Sequence, residues 1–579
     1  MPTKPTGRFV LGLSDDYLGS VTLLHGGHPV FAVANERKTR KKGDAGFPEA
    51  ALQAALSHAG IRRDELHQVV VANRTHFVYR LLQQHFDDYE HDFFNVKQKL
   101  YLKYHDLVRA SRIVATAARE LNGLLMMRQL ARRVQFCDHH LAHALSAIYS
   151  SPFDECLAVS IDNLGDGYST KVHGYRGGRI DFHWGSRASV SPGQFYGEIT
   201  QLLGFNPLRH AGKLTGLAAL GDPEPAYALM EQLFGLTDDK MDFRMMPSHL
   251  RWRRRGVFWQ LALFPREEVA AAAQRRLEDV VVEYVRHALR TTGHRRLALA
   301  GGVFANVKLN LALRDLPEVE ALHVHPAMSD EGLATGAAAL ALLQSGELMD
   351  HRMESIYLGS GFDDARIRAA LEGSPLRFAT PRDLPETAAR LLTNGHILAR
   401  FDGRSEYGPR ALGNRSILCR ADDPSVNDWL NTRLNRSEFM PFAPVTCQED
   451  AAACYEDMEG AADTARHMTI AFRCTPLLRR SCPGVVHVDG TARPQLIRRE
   501  DNPDYHRIVR RFHELTGMPA LINTSFNMHE EPIVDSPENA VRSFLDAKLD
   551  FLAIGEHLAM HPARTDLDKE WSDVCARSE

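Results

Sequence analysis

Cysteine is scarce in this sequence: eight among 579 residues, at positions 137, 156, 419, 447, 454, 474, 482 and 575, with no CxxC pair. That spacing excludes a disulfide framework and argues against a structural zinc module. Long apolar runs are missing as well. No stretch reaches the ~18 uninterrupted apolar residues of a membrane-spanning helix. The first apolar run, Phe9 to Leu13, is cut short by Asp15 and Asp16, so the start lacks a secretory pattern and the expected compartment is the cytoplasm. Charge of one sign is not in excess either. A formal net charge of −4 gives no global field for nucleic acid or an anionic membrane.

What is present reads as a soluble globular chain, 44% apolar and 25% charged, too long for one hydrophobic core. Short apolar runs alternate with helix-like segments. Val10–Leu13, Gln68–Val71, Leu157–Ile161 and Leu297–Ala300 are predicted strands, and Ala50–Ala59, Leu277–Leu289 and Ala334–Leu343 predicted helices, which gives the α/β class. Glycine-bearing strand-to-turn junctions occur at Gly12-Leu-Ser-Asp-Asp, Asp162-Asn-Leu-Gly-Asp-Gly167 and Gly301-Gly-Val-Phe-Ala-Asn306. Beyond residue 350 or so arginines cluster near glycine turns, so residues 1–350 and 351–579 are expected to form two domains, with Tyr357–Phe362 as linker. The stretch from Met241 to Phe264 carries Arg251-Trp-Arg-Arg-Arg255 and reads as a solvated surface insertion rather than a nucleic-acid patch.

Asp138-His139-His140-Leu-Ala-His143 is the strongest local signal. His139 and His143 are four apart, so a helix projects both from one face, where two imidazoles can hold a divalent metal. The ordinary alternative is a hydrogen-bonded pair at a helix start. Carboxylates to complete such a site are at hand in Asp162, after a strand, and Asp330, before a helix. Either one alone reads equally well as a cap or turn residue.

Several segments suit phosphate. The turn with Gly165 and Gly167, Lys213 in the glycine-rich turn expected at Gly212-Lys-Leu-Thr-Gly216, and Gly301-Gly302 with Asn306 can each bring backbone amides or a charge to a nucleotide. Each is weak alone, and their order along the chain strengthens them. Gly403-Arg404-Ser-Glu-Tyr-Gly-Pro-Arg410-Ala-Leu-Gly-Asn-Arg415-Ser brings three arginines together, and Asn435-Arg436, Arg493 and Asn523-Thr-Ser525-Phe-Asn527 follow. Guanidinium forks bind phosphate in two-point fashion, so this half is expected to hold a polyanion.

Taken together, His139-His-Leu-Ala-His143-Ala, Asp162-Asn-Leu-Gly-Asp-Gly, Gly301-Gly-Val-Phe-Ala-Asn, Gly408-Pro-Arg-Ala-Leu-Gly-Asn-Arg-Ser, Phe439-Met-Pro-Phe-Ala-Pro, His487-Val-Asp-Gly-Thr-Ala-Arg and Asn523-Thr-Ser-Phe-Asn resemble the carbamoyltransferase family of the nodulation-factor, cephalosporin and tobramycin enzymes. The resemblance runs over nearly the whole chain. It implies an actin-like, duplicated N-terminal part and a smaller C-terminal α/β part that makes carbamoyl adenylate from carbamoyl phosphate and ATP, with Mg2+ accompanying the nucleotide. A hydroxyl of a small-molecule acceptor, such as a secondary metabolite, then takes the carbamoyl group and AMP leaves. The resemblance further implies Fe2+ on His139, His143, Asp162 and Asp330, and adenylate-forming roles for Arg410, Arg493, Ser525 and Asn527.

Two departures stand out. The family's His-Asp pair in the first turn is absent near Tyr17 and Leu18, and Asn435 stands where many members carry lysine, leaving Arg433 or Arg436 to supply the charge. Other readings of the same pattern are a tRNA threonylcarbamoylation enzyme, which needs a broad basic surface, and a non-enzymatic actin-like ATP-binding regulator, which leaves the C-terminal arginines unexplained. A hydrogenase-maturation carbamoyltransferase is disfavoured by the lack of CxxC modules. The expected partners are the hydroxylated acceptor and at most a second copy of the chain as a homodimer, with neither nucleic acid nor membrane.

Overall fold

In the computed structural model, residues 7–15, 17–73, 134–251, 255–434 and 439–576 are described. The expected strands and helices form, lengthened by one to four residues at the ends that differ, except that the longest helix begins eleven residues earlier than expected. Val10–Leu13 lies within Phe9–Ser14, Leu157–Ile161 within the long strand Glu155–Gly165, and Leu277–Leu289 within the helix Arg266–Thr292.

Two five-stranded sheets share one connectivity. The first runs His28–Ala34, Ser20–His25, Phe9–Ser14, Gln68–Ala72, Val134–Cys137. The second runs Arg179–Arg187, Tyr168–Arg176, Glu155–Gly165, Arg296–Ala300, Ala321–Val324. In each, the first three strands in sequence form an antiparallel meander, and the fourth and fifth add in parallel on the other side of the first. The repeat is the duplication that an actin-like fold requires. Leu297 to Ala300 are all buried, as expected of a parallel strand covered on both faces.

A helix follows the fifth strand of each sheet, His139–Ser150 in the first repeat and Leu333–Ser345 in the second. They cross over reciprocally: the first packs on the second sheet and the second on the first sheet. Glycine makes this approach possible. A Cβ on Gly336 would lie 1.7 Å from the Ala142 carbonyl oxygen, and one on Gly12 1.8 Å from that of Ala334. The crossing brings the start of one helix and the turn before the other to the ends of the second sheet.

The third sheet has eight mixed strands in the order Arg377–Ala379, His557–Met560, Phe551–Ile554, Leu398–Phe401, Arg415–Cys419, Ala520–Ser525, Ala443–Cys447, Gln495–Ile497. It is tied to the first two by polar contacts. Lys38 Nζ lies 2.8 Å from Asp535, the Arg37 guanidinium donates to the Gly408 carbonyl at 2.8 Å, and Lys308 Nζ meets Asp489 at 2.7 Å. Tyr357–Phe362 runs without regular structure and is pinned by backbone bonds from Ala32 N to Leu358 O and from Gly359 N to Ser405 O.

Two expectations are corrected. Gly212–Gly216 is not a turn but lies in the helix Ala211–Ala218, where Gly216 makes room for Met440. Arg251 is not solvated. It is buried and ion-paired with Glu198 at 2.6 Å, while Val257, Phe258 and Leu261 beyond it join the core. Residues 252–254 lie outside the described residues. All eight cysteines are free thiols, seven of them buried.

Candidate functional site

Asp138 begins the site. Its carboxylate caps the helix His139–Ser150 by accepting from Leu141 N at 2.9 Å, and Lys171 Nζ holds its other oxygen at 2.6 Å. Asp166 accepts from His139 N at 2.8 Å, satisfying a second open donor of the first turn. Asp166 and Gly167, both at positive φ, form the two-residue turn of a hairpin; the turn expected over Asp162–Gly167 is thus confined to these two residues, since Asp162–Gly165 continue the strand, and it serves the helix start. Gly165 leaves space for His139: a Cβ there would stand 2.1 Å from the imidazole.

The helix then presents His139 and His143 on one face, as their spacing predicts. His143 Nε2 lies 3.1 Å from Asp162 Oδ2 and 3.6 Å from Asp330 Oδ1; His139 Nε2 lies 3.8 Å from each carboxylate. The four ligand atoms fall within 4.8 Å of one another. Both imidazoles are fully buried, and His139 Nε2 has no hydrogen-bond partner among the described residues. An orphaned buried imidazole nitrogen facing two carboxylates fits a divalent cation. Burial works to raise the Asp162 pKa, yet the hydrogen bond and charge of His143 outweigh it and hold the carboxyl well below its ordinary range. Next to Asp330, burial pushes the Glu331 carboxyl up to about 7.

The carboxylates Asp162, Asp330 and Glu331 line a cavity of ≈ 960 Å3 to which both halves of the chain contribute. From the first half come Asp162, Gly165, Lys213, Gly302, Asn306 and Asp330; from the second, Arg410, Arg493, Ser525 and Asn527. The loop bearing Arg410 is built by Glu406, whose Oε1 accepts from Leu412 N at 2.8 Å, Asn414 N at 2.7 Å and Arg415 N at 3.1 Å. Gly408 and Gly413 take φ of +113° and +117°, which suits glycine, and Tyr505 fills the place of a Gly413 Cβ. Asn523 donates to the Ala411 carbonyl at 3.1 Å, fixing the loop to the strand that ends in Ser525.

Other predicted residues serve the scaffold. Arg404 donates to the carbonyls of Gly359, Val30 and Leu358. Arg415 is wholly buried, donates to four carbonyls and sits 3.7 Å over the Phe401 ring. Neither lines the cavity. Asn306 lines it, but its side chain caps the helix Val307–Arg314 and exchanges hydrogen bonds with Gln274. Gly301 takes a positive φ, and the Ile161 backbone leaves no room for a side chain there. Arg433 donates to the Lys548 carbonyl and stacks on Trp429 away from the cavity; Asn435 and Arg436 lie outside the described residues.

Tyr17 and Leu18, at the departure from the family's first turn, do line the cavity. So do Asn73, Glu331, Arg209, His210 and Glu530, which the sequence reading leaves out. Asn73 directly follows the Gln68–Ala72 strand, which was its only signal.

Comparison with known proteins places these features. The profile described as carbamoyltransferase N-terminus matches residues 10–339, and that described as carbamoyltransferase C-terminus matches residues 389–561. Nodulation protein NolNO of Sinorhizobium fredii is 32% identical over 572 residues, spanning 96% of this chain and 80% of that protein. Nodulation protein NolO of Bradyrhizobium diazoefficiens is 34% identical over 454 residues, 76% of this chain and 81% of that protein. An uncharacterized protein of Methanocaldococcus jannaschii, MJ1058, is 34% identical over 472 residues, 76% of each chain. With both halves matched in order, the chain belongs to the carbamoyltransferase family and is an enzyme that transfers carbamoyl groups.

Proposed function

We propose that the chain is an ATP-dependent O-carbamoyltransferase with two coupled centres, divided near residue 350, and that its acceptor is a hydroxylated small molecule. The observation that carries this reading is the shared cavity, with Asp162 and Asp330 of the His139–His143–Asp162–Asp330 cluster in one part of its wall and Arg410, Arg493, Ser525 and Asn527 in another.

In the arginine-bearing part, Arg410 and Arg493 neutralise the charge gathered when carbamoyl phosphate and ATP, with its Mg2+, are brought together. Water releases phosphate from carbamoyl phosphate to leave carbamate. A carbamate oxygen attacks the α-phosphorus of ATP, pyrophosphate leaves, and carbamoyl adenylate forms. Ser525, at the end of its strand, and Asn527, just beyond it, orient the phosphates. At the other centre the acceptor oxygen attacks the carbamoyl carbon, the bond to the adenylate oxygen breaks, AMP leaves with the electron pair, and the hydroxyl proton passes to water. His139, His143, Asp162 and Asp330 would hold divalent iron, which supplies Lewis-acid polarisation when bound. The same two-imidazole, two-carboxylate set accommodates manganese or zinc.

ATP and carbamoyl phosphate are metabolites of the cytoplasm, where we place the reaction. Among the described residues no helix is long and apolar enough to cross a membrane. The test is a panel of hydroxylated metabolites incubated with carbamoyl phosphate and ATP. A mass gain of one carbamoyl group together with AMP supports the reading. Pyrophosphate release that does not depend on carbamoyl phosphate contradicts it.

A further inference from the structure

Position 73 is where the two repeats of the N-terminal half differ in an informative way. In each repeat the residue immediately after the fourth strand takes a positive φ. After Arg296–Ala300 it is Gly301, at +110°; after Gln68–Ala72 it is Asn73, at +90°. The backbone is anchored alike, Gly301 N donating to Met328 O at 2.6 Å and Asn73 N to Cys137 O at 2.8 Å. Glycine takes this conformation freely, whereas a residue with a Cβ is strained there. A side chain retained at such a position has to be useful in some other way.

The use is visible in the structure. Asn73 is buried, and its Oδ1 lies 2.7 Å from His139 Nδ1. With the Nδ1 proton donated to that oxygen, the lone pair of His139 is on Nε2, which faces Asp162 and Asp330 at 3.8 Å. The residue is otherwise held by its backbone N–H donating to Asp166 and by the ring packing directly against Gly165. Those two contacts set the position of the ring but not which nitrogen carries the proton.

We infer that Asn73 is a positioning residue of the metal centre: it selects the His139 tautomer whose Nε2 binds the cation, and the fold tolerates a left-handed asparagine to keep it there. This rests on the reading of His139, His143, Asp162 and Asp330 as ligands. Partners of this kind behind a metal-bound imidazole commonly carry 10- to 100-fold in affinity.

The experiment measures Mn2+ binding to the full metal-free chain by titration calorimetry or electron paramagnetic resonance, alongside thermal melting without metal. Asn73→Ala and Asn73→Gly should weaken Mn2+ binding by about tenfold or more. Asn73→Gly should melt no lower than the wild type, since glycine relieves the backbone strain. Asn73→Asp, whose carboxylate also accepts the Nδ1 proton, should retain tight binding. Opposite movement of affinity and stability in the glycine variant is the result a merely structural asparagine would not give. Wild-type affinity in Asn73→Gly, with His139→Ala having lost the ion, overturns the inference and leaves the metal reading standing. A parallel fall of affinity and melting point in all three Asn73 variants also overturns it. Undiminished binding in His139→Ala removes the metal centre itself, and the role of Asn73 with it.

Discussion

Arg209 and Glu530 are 321 positions apart in the sequence and meet at 2.9 Å at the cavity wall, one from each half of the chain. His210 Nε2 lies 3.0 Å from the other oxygen of the same carboxylate, and Glu530 holds a left-handed φ of +59°. Both partners are about 40% exposed, Arg209 at 38% and Glu530 at 40%, so the pair adds little to stability, about 0–1 kcal/mol. Its place suggests control of entry instead. Glu530→Gln is expected to leave the melting temperature nearly unchanged and to alter KM for the acceptor or ATP severalfold, with weaker salt dependence than wild type. Steady-state kinetics across ionic strength check this; identical KM values for both substrates would take the pair off the entry route.

Arg410 and the Glu406 that shapes its loop should fail in the same assay for different reasons. Arg410→Ala removes the charge proposed to meet phosphate and is expected to lose about 2–4 kcal/mol of transition-state stabilisation in carbamoyl-phosphate-dependent pyrophosphate release. Glu406→Ala leaves three buried backbone N–H groups without their acceptor and displaces the loop, for a loss of about 100-fold in the same rate. Mn2+ affinity should be unchanged in both. A wild-type rate in Arg410→Ala would remove that side chain from the adenylating centre.

Acid should weaken the fold well above the usual carboxylate range. Burial and the nearby Arg466 lower the His467 pKa to about 3, and burial with the charge of Lys171 lowers that of His173 to about 4. Both folded values lie below the unfolded value of about 6.5, so the unfolded chain takes up the proton first. The stabilisation is complete above about pH 6.5 and is lost as pH falls toward 4, by about 1.4 kcal/mol per pH unit for each histidine. Melting temperatures between pH 8 and 4.5 should fall along this slope, and His467→Gln should flatten it. A chain more stable at pH 5 than at pH 7.5 contradicts the assignment.

Much of the α/β pattern was legible because strand and helix periodicities are local. The facing of His139 and His143 was equally local, a matter of 3.6 residues per turn. Their meeting with Asp330 was not, since it depends on two helices crossing between repeated sheets. Nor does the sequence separate Arg404 from Arg410. They share one motif, but one guanidinium is spent on carbonyls of the linking segment while the other lines the cavity. The glycines around Lys213 suggested a turn, yet Gly216 serves close packing against Met440 within a helix. Asn73 is marked in the sequence only by the strand that precedes it, because a positive φ leaves no mark in composition or spacing.

The division of labour between the two centres is the central claim, and trapping of carbamoyl adenylate in His139→Ala and His143→Ala tests it most directly. The variants are first shown to melt close to wild type, because helix-start histidines can be structural. Each is then incubated with carbamoyl phosphate, ATP and an acceptor, and the products are separated by mass spectrometry. The account predicts that carbamoyl adenylate accumulates, the carbamoylated acceptor is missing, and metal binding is lost. Normal transfer by a folded, metal-free variant would deny the cluster a part in catalysis, and loss of adenylate formation together with transfer would contradict the assignment of one step to each centre.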